Sequence, residues 1–173
     1  MPVDKPIDSS AEDVRAVLRP LRSGFSIAMP SFGNPFSVGS IIRVSHNFLA
    51  KEIWLIGNTP HYEKASMGME KYETIMREDD EHAFIAAIGN RPLYAIEKDH
   101  AQQNLYGSPE FPPDVIFLFG SERYGISDLL LKRADAILGI PIYGVNHSLP
   151  VAVAAGIVMS EWARRKYADG TVR

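Results

Sequence analysis

Two short apolar runs, Val115-Ile-Phe-Leu-Phe119 and Ala136-Ile-Leu-Gly-Ile140, each give way to a polar, glycine-containing loop and then to a helix-forming segment. Runs of this length bounded by turn residues read as buried strands that feed loops. Three more strands are expected at Phe25–Met29, Lys51–Ile56 and Pro92–Ile96. Between the first two of these, Val38, Ile41, Ile42, Phe48 and Leu49 mark the buried stripe of a helix. Strand, helix and strand at this spacing predict a right-handed crossover and hence a mostly parallel sheet flanked by helices, an α/β fold. In such a sheet ligands bind where strands end and loops begin, which marks the loops after Phe119 and Ile140 as the site.

The remaining elements follow from the same patterns. Ser9 and Glu12 read as a capping box opening a short helix with Val14, Val17, Leu18 and Leu21 on its apolar stripe. Asp79–Ile88 reads as an amphipathic helix ending at Gly89, Asp128–Arg133 as a short helix, and Gly57–Met76 as polar and irregular. A final helix is expected from about Ser148 to Tyr167. From Val151 to Met159 it is apolar or small on every face, more than one sheet can cover. A second copy of the chain is the simplest cover, giving a homodimer; the chain's own N-terminal helix is the alternative.

Length then limits the architecture. The 173 residues suffice for one domain, divided here into an N-terminal arm with its short helix over 1–24 and a main domain over 25–173. No cysteine is present, no basic start precedes an apolar N-terminal run, and no stretch is long enough to span a bilayer, so a cytoplasmic protein without membrane contact is expected. A net charge of −3 argues mildly against an RNA partner held by global charge alone. Local basic groups remain available: Arg15, Arg19 and Arg22 recur at helical spacing, and Lys64 lies among the tyrosines of the irregular segment.

Several chemistries are missing. Gly120 to Gly125 has the glycine spacing of a phosphate-binding P-loop, but Ile126 occupies the position of its lysine. No G-x-G-x-x-G follows a strand, and the five histidines lack paired ligand spacing, so no nicotinamide site and no metal are inferred.

Three stretches, taken together and in order, carry a resemblance. They are Asn34-Pro-Phe-Ser-Val-Gly39-Ser-Ile-Ile-Arg43, Phe119-Gly120-Ser-Glu122-Arg-Tyr-Gly125-Ile-Ser, and Ile140-Pro141-Ile-Tyr-Gly-Val-Asn-His-Ser148-Leu149-Pro-Val-Ala-Val-Ala154. They resemble the three motifs of the SPOUT superfamily of RNA methyltransferases, in its SpoU branch of tRNA and rRNA ribose 2′-O-methylases. The resemblance implies a C-terminal deep trefoil knot, S-adenosylmethionine as cofactor, RNA as substrate and a homodimer. By the same resemblance the cofactor-binding positions are Ile96, Gly120, Gly125, Ile140, Ile142, Ser148 and Leu149. The resemblance also gives catalytic roles to Arg43, Ser148 and Glu122; the basic residues of the N-terminal helix, Arg15, Arg19 and Arg22, which lie outside it, join Asn34, Arg43 and Lys64 in the expected RNA-facing set.

A guanidinium stays protonated at physiological pH, so Arg43 suits positioning and charge stabilisation better than proton abstraction. Read without the resemblance, Gly120 and Gly125 are turn glycines and Arg43 is a surface ion-pair residue. The sequence departs from the family pattern at Ser37 and Pro150, where asparagines are usual, and at Ala152, where serine is common. Base-nitrogen methylation and an RNA-binding module without turnover are the alternatives to ribose methylation.

Overall fold

The computed structural model describes residues 9–30, 34–121 and 123–167. Seven strands form one sheet: β1 (Phe25–Met29), β2 (Ile53–Ile56), β3 (Ile75–Glu78), β4 (Leu93–Ile96), β5 (Gln103–Asn104), β6 (Val115–Phe119) and β7 (Ala136–Gly139). Their order is β3-β2-β1-β6-β4-β7-β5, and every pairing is parallel. Six α-helices accompany them among the described residues: α1 (Ala11–Leu18), α2 (Pro35–Asn47), α3 (Glu63–Ser66), α4 (Glu81–Ile88), α5 (Asp128–Arg133) and α6 (Val151–Lys166).

Strand side chains alternate between two layers because the pleat has a period of two. Phe25, Ile27 and Met29 of β1 and Val115, Phe117 and Phe119 of β6 face a core completed by Val38, Ile41 and Ile42 of α2 and by Ala155, Val158, Met159 and Trp162 of α6. Ala28, Ile116 and Leu118 face the opposite core, closed by Phe84 and Ile88 of α4 and Leu130 of α5. Both faces of the central strands are covered, so β6 is a continuous apolar run and β1 is broken only by the buried Ser26, as expected of a parallel sheet.

The expected strands and principal helices are present, with four differences. Gly57–Met76 is not wholly irregular: it contains α3, a 3-10 turn over Met69–Lys71 and the start of β3. That strand lies at the sheet edge and only Ile75 and Met76 are apolar, too short a run for a periodic signal. The two-residue β5 at the other edge is exposed and equally silent. The capping box of α1 is Ser10 with Asp13 rather than Ser9 with Glu12. Finally, α6 begins at Val151, and its buried side, Val158 included, packs on the sheet and on α2 of the same chain; Val153 remains half exposed.

Two charge clusters hold the ends of the sheet. Arg91 reaches Glu52 at 2.7 Å, Ser26 Oγ at 2.8 Å and Asp114 at 3.1 Å, tying the starts of β1, β2, β4 and β6. Near the end of α6, Glu161 accepts from Arg164 and Arg165, and Arg165 also donates to the carbonyls of Ser108 and Pro109 while stacking on Phe111 at 4.3 Å. The Arg164 hydrogen bonds first, then those of Arg165, hold the buried Glu161 carboxyl down from 4.5 to about 2 against the opposing effect of burial.

A carboxyl depressed in the folded state contributes stability that is present above its unfolded value and lost as pH falls through the folded one. Glu161→Gln is therefore expected to destabilise the protein by about 2 kcal/mol at neutral pH, a figure discounted because Arg164 is 64% exposed. Urea unfolding of both proteins should show the difference shrinking from about pH 5 to pH 2. A difference independent of pH would contradict an ionic clamp.

Candidate active site

In the register of the sheet, Ile96 of β4 lies opposite Phe119 of β6 on one side and Leu138 of β7 on the other. The three strands thus end level, and their loops leave the sheet side by side. Between these loops and the start of α6 lies a cleft of about 560 Å³, within the size range of small-ligand sites. Ile96, Phe119, Ile126, Ile140, Ile142 and Leu149 give it apolar walls, and Glu97, Lys98, Asp99, His100, Arg123 and His147 supply its charged and titratable groups. All seven residues expected to hold a cofactor, Ile96, Gly120, Gly125, Ile140, Ile142, Ser148 and Leu149, line this one cleft.

The loop after β6 folds back on itself. Ser121 and Gly125 exchange backbone hydrogen bonds of 3.1 and 2.9 Å. A Cβ at position 120 would stand 2.4 Å from the carbonyl carbon of Gly125, and Gly125 itself has φ +63°. Both glycines are therefore demanded by the turn, independently of any ligand. Gly125 also lies against Glu97, whose Oε2 would be 2.9 Å from an added Cβ. In the loop after β7, Asn146 Oδ1 accepts the backbone N–H of Ser148 at 3.2 Å, a local turn that sets the backbone around His147. Gly144 stands in open space, so nothing in the structure requires glycine there.

Pro150 occupies the N-cap of α6, so no side chain satisfies the first N–H groups of the helix. Val151 and Ala154 line the cleft, placing this uncapped, partially positive helix end on its border. The same proline leaves α6 intact, because its carbonyl accepts from both Val153 and Ala154.

The other expected site residues are dispersed. Arg43 lies on the exposed side of α2, does not line the cleft, and has no polar partner among the described residues. Asn34 caps α2 by accepting from Phe36 N at 3.0 Å. Gly39, in the same motif, lets α3 approach α2: a Cβ there would meet the Tyr62 carbonyl at 2.5 Å. Arg15, Arg19 and Lys64 are exposed. Arg22 differs from expectation, since it is committed to the buried Glu73 and to the carbonyls of Ala50 and Tyr72 and is not free to meet phosphate. Glu122 lies outside the described residues. Sequence reasoning missed Glu97, Lys98, Asp99 and His100, although their position directly after a strand ending at Ile96 marks them as loop residues at the same sheet edge.

A doubly wound parallel sheet with a loop-built cleft at its strand ends defines an α/β protein shaped to hold a small, partly apolar ligand. Within that class the chain belongs to the SpoU rRNA methylase family, whose model matches residues 24–160. It is similar to the tRNA (guanosine(18)-2′-O)-methyltransferase of Thermus thermophilus, 24% identical over 162 residues, which are 91% of this chain and 83% of that one. Among solved structures it is similar to the AdoMet-bound rRNA methyltransferase of Sinorhizobium meliloti (26% identity, TM-score 0.76), covering 88% of this chain but only 60% of that one. It also shares the fold of the A. aeolicus TrmH/SpoU tRNA modifying enzyme (21% identity, TM-score 0.77, 92% of this chain and 84% of that one).

The two loop glycines of similar sequence context should respond oppositely to the same change. Gly120→Ala forces backbone apart and should destabilise by about 1–3 kcal/mol. Gly144→Ala meets no obstacle and should be neutral or stabilise by about 0.5 kcal/mol through the unfolded chain. Thermal and denaturant unfolding of both variants checks this, and equal effects would contradict the folded-back geometry.

Proposed function

We propose that this chain is a cytoplasmic S-adenosylmethionine-dependent methyltransferase acting on a ribose 2′-hydroxyl of tRNA or rRNA, and that it works as a homodimer. The observation that carries the reading is the convergence of all seven expected cofactor positions on one cleft within a fold of this family. The donor set suits the ligand. Isoleucines, Phe119 and Leu149 can enclose an adenine ring, and Gly120 and Gly125 carry no side chain to cover the backbone of the loop after β6. Glu97 and Asp99 offer carboxylates to a cationic ligand, and the uncapped end of α6 suits a carboxylate. When bound, the cofactor supplies an electrophilic methyl group on a sulfonium.

The dimer completes the site in this reading. Arg43 is the residue proposed to orient the RNA and stabilise developing charge, yet it lies outside the cleft of its own chain. A second copy would bring its Arg43 to that cleft, with Val153 and the rest of the open side of α6 near the contact. Arg15, Arg19, Asn34 and Lys64 extend the proposed RNA surface. Ser148 stays at the cleft as a hydrogen-bonding group. Interleaving of β4 between β6 and β7 is compatible with the family's C-terminal knot, which is part of the same proposal.

Arg43→Ala is expected to lower methyl transfer about 100-fold while leaving cofactor affinity within about twofold of the parent. Leu149→Asp, which places a carboxylate inside the cleft, should abolish cofactor binding measured by calorimetry. Mixing the two variants after unfolding and refolding should restore about a quarter of parental incorporation of labelled methyl, since half of the dimers are mixed and each of those holds one intact site. No restoration would place Arg43 and the cleft in the same chain, and a monomer in sedimentation would contradict the dimer.

A further inference from the structure

Ribose methylation leaves a proton to be disposed of, and neither Arg43 nor Ser148, the described residues assigned catalytic roles, can take it. Arg43 stays protonated through the physiological range, so it can position a hydroxyl but not deprotonate it. The acceptor must lie within hydrogen-bond reach of the bound ribose, which confines the search to the cleft. Among the described residues its titratable groups are Glu97, Asp99 and His100 from the loop after β4 and His147 from the loop after β7, with Lys98, Arg123 and Tyr124 beside them.

The two described carboxylates are already engaged. Glu97 accepts the backbone N–H of Asp99 and lies against Gly125, joining two loops. Asp99 is bonded to Lys98 at 2.7 Å, and that hydrogen bond, with the charges of Lys98 and His100 nearby, lowers its proton affinity. His100 shares the field of Asp99. His147 stands apart: it has no polar partner among the described residues, it is exposed at the rim, and the Asn146 turn fixes the backbone on which it sits beside Ser148.

We propose that His147 is the general base of the reaction. This rests on the ribose-methylation reading given above. As the 2′-oxygen forms its bond to the methyl carbon, the carbon–sulfur bond breaks with its electron pair passing to sulfur. The 2′-proton moves to an unprotonated imidazole nitrogen of His147 and from there to water, so charge and atoms balance. Imidazole is the side chain whose ordinary titration range suits this task near neutral pH. The usual asparagine of the third motif is absent here, and His147 supplies a polar group to the same loop.

The test uses the full-length protein, labelled S-adenosylmethionine and unmodified transcripts of tRNAs and of the two large ribosomal RNAs. His147→Gln should lower kcat about 100-fold at neutral pH, with the RNA KM and the calorimetric cofactor Kd within about twofold of the parent. The acidic limb of the parent's pH–rate profile should vanish in His147→Gln and persist in His100→Gln. The ring proton resonance lost in His147→Gln should shift in the parent when S-adenosylhomocysteine and RNA are added together. Full activity of His147→Gln, or loss of the limb in His100→Gln instead, overturns the assignment while leaving ribose methylation standing. A parent that transfers methyl only to a base, or not at all, overturns both.

Discussion

A side chain at position 120 would stand 2.4 Å from the Gly125 carbonyl carbon, and the cleft has its shape because none is there. The fold-back pairs Ser121 with Gly125 across the loop after β6, and the registers of β4 with β6 and β7 bring all three loops to one cleft. Glu97 then packs against Gly125 from the β4 side. Backbone geometry, rather than a set of converging charges, defines where a ligand can lie, and the polar groups occupy the rim.

The rest of the molecule serves to hold these three strand ends level. β6 sits at the centre of the sheet, buried on both faces, with β1 on one side and β4 on the other. The Arg91 cluster fixes the starts of the same strands, and Arg165 fixes α6 to the segment that leads into β6.

Much of this was legible in the sequence, and the exceptions have physical causes. Buried strands such as Val115–Phe119 announce themselves because covered faces require unbroken apolar runs. Edge strands do not: Ile75–Glu78 and Gln103–Asn104 satisfy only one neighbour and carry no such run. Six of the expected cleft positions were legible through the second and third motifs, whereas Lys98 and His100 belong to no motif and become visible only once β4 is placed between β6 and β7. Helical spacing put Arg22 with Arg15 and Arg19, but a long-range partner, the buried Glu73, claimed it. Charge spacing reports which residues share a helix face and is blind to what the rest of the chain brings against that face. The apolar breadth of α6 was read as calling for another subunit, and most of it turns out to be spent on α2 and the sheet.

The central claim is that the cleft delivers a methyl group to a ribose oxygen of RNA. It is tested most directly by incubating the protein with labelled S-adenosylmethionine and unmodified RNA, digesting the product to nucleosides and separating them by chromatography with mass detection. The account predicts that the label appears in a 2′-O-methylated nucleoside and stays with the sugar when the base is removed. Label that leaves with the base, or no transfer to any RNA by a protein that binds the cofactor, would contradict it.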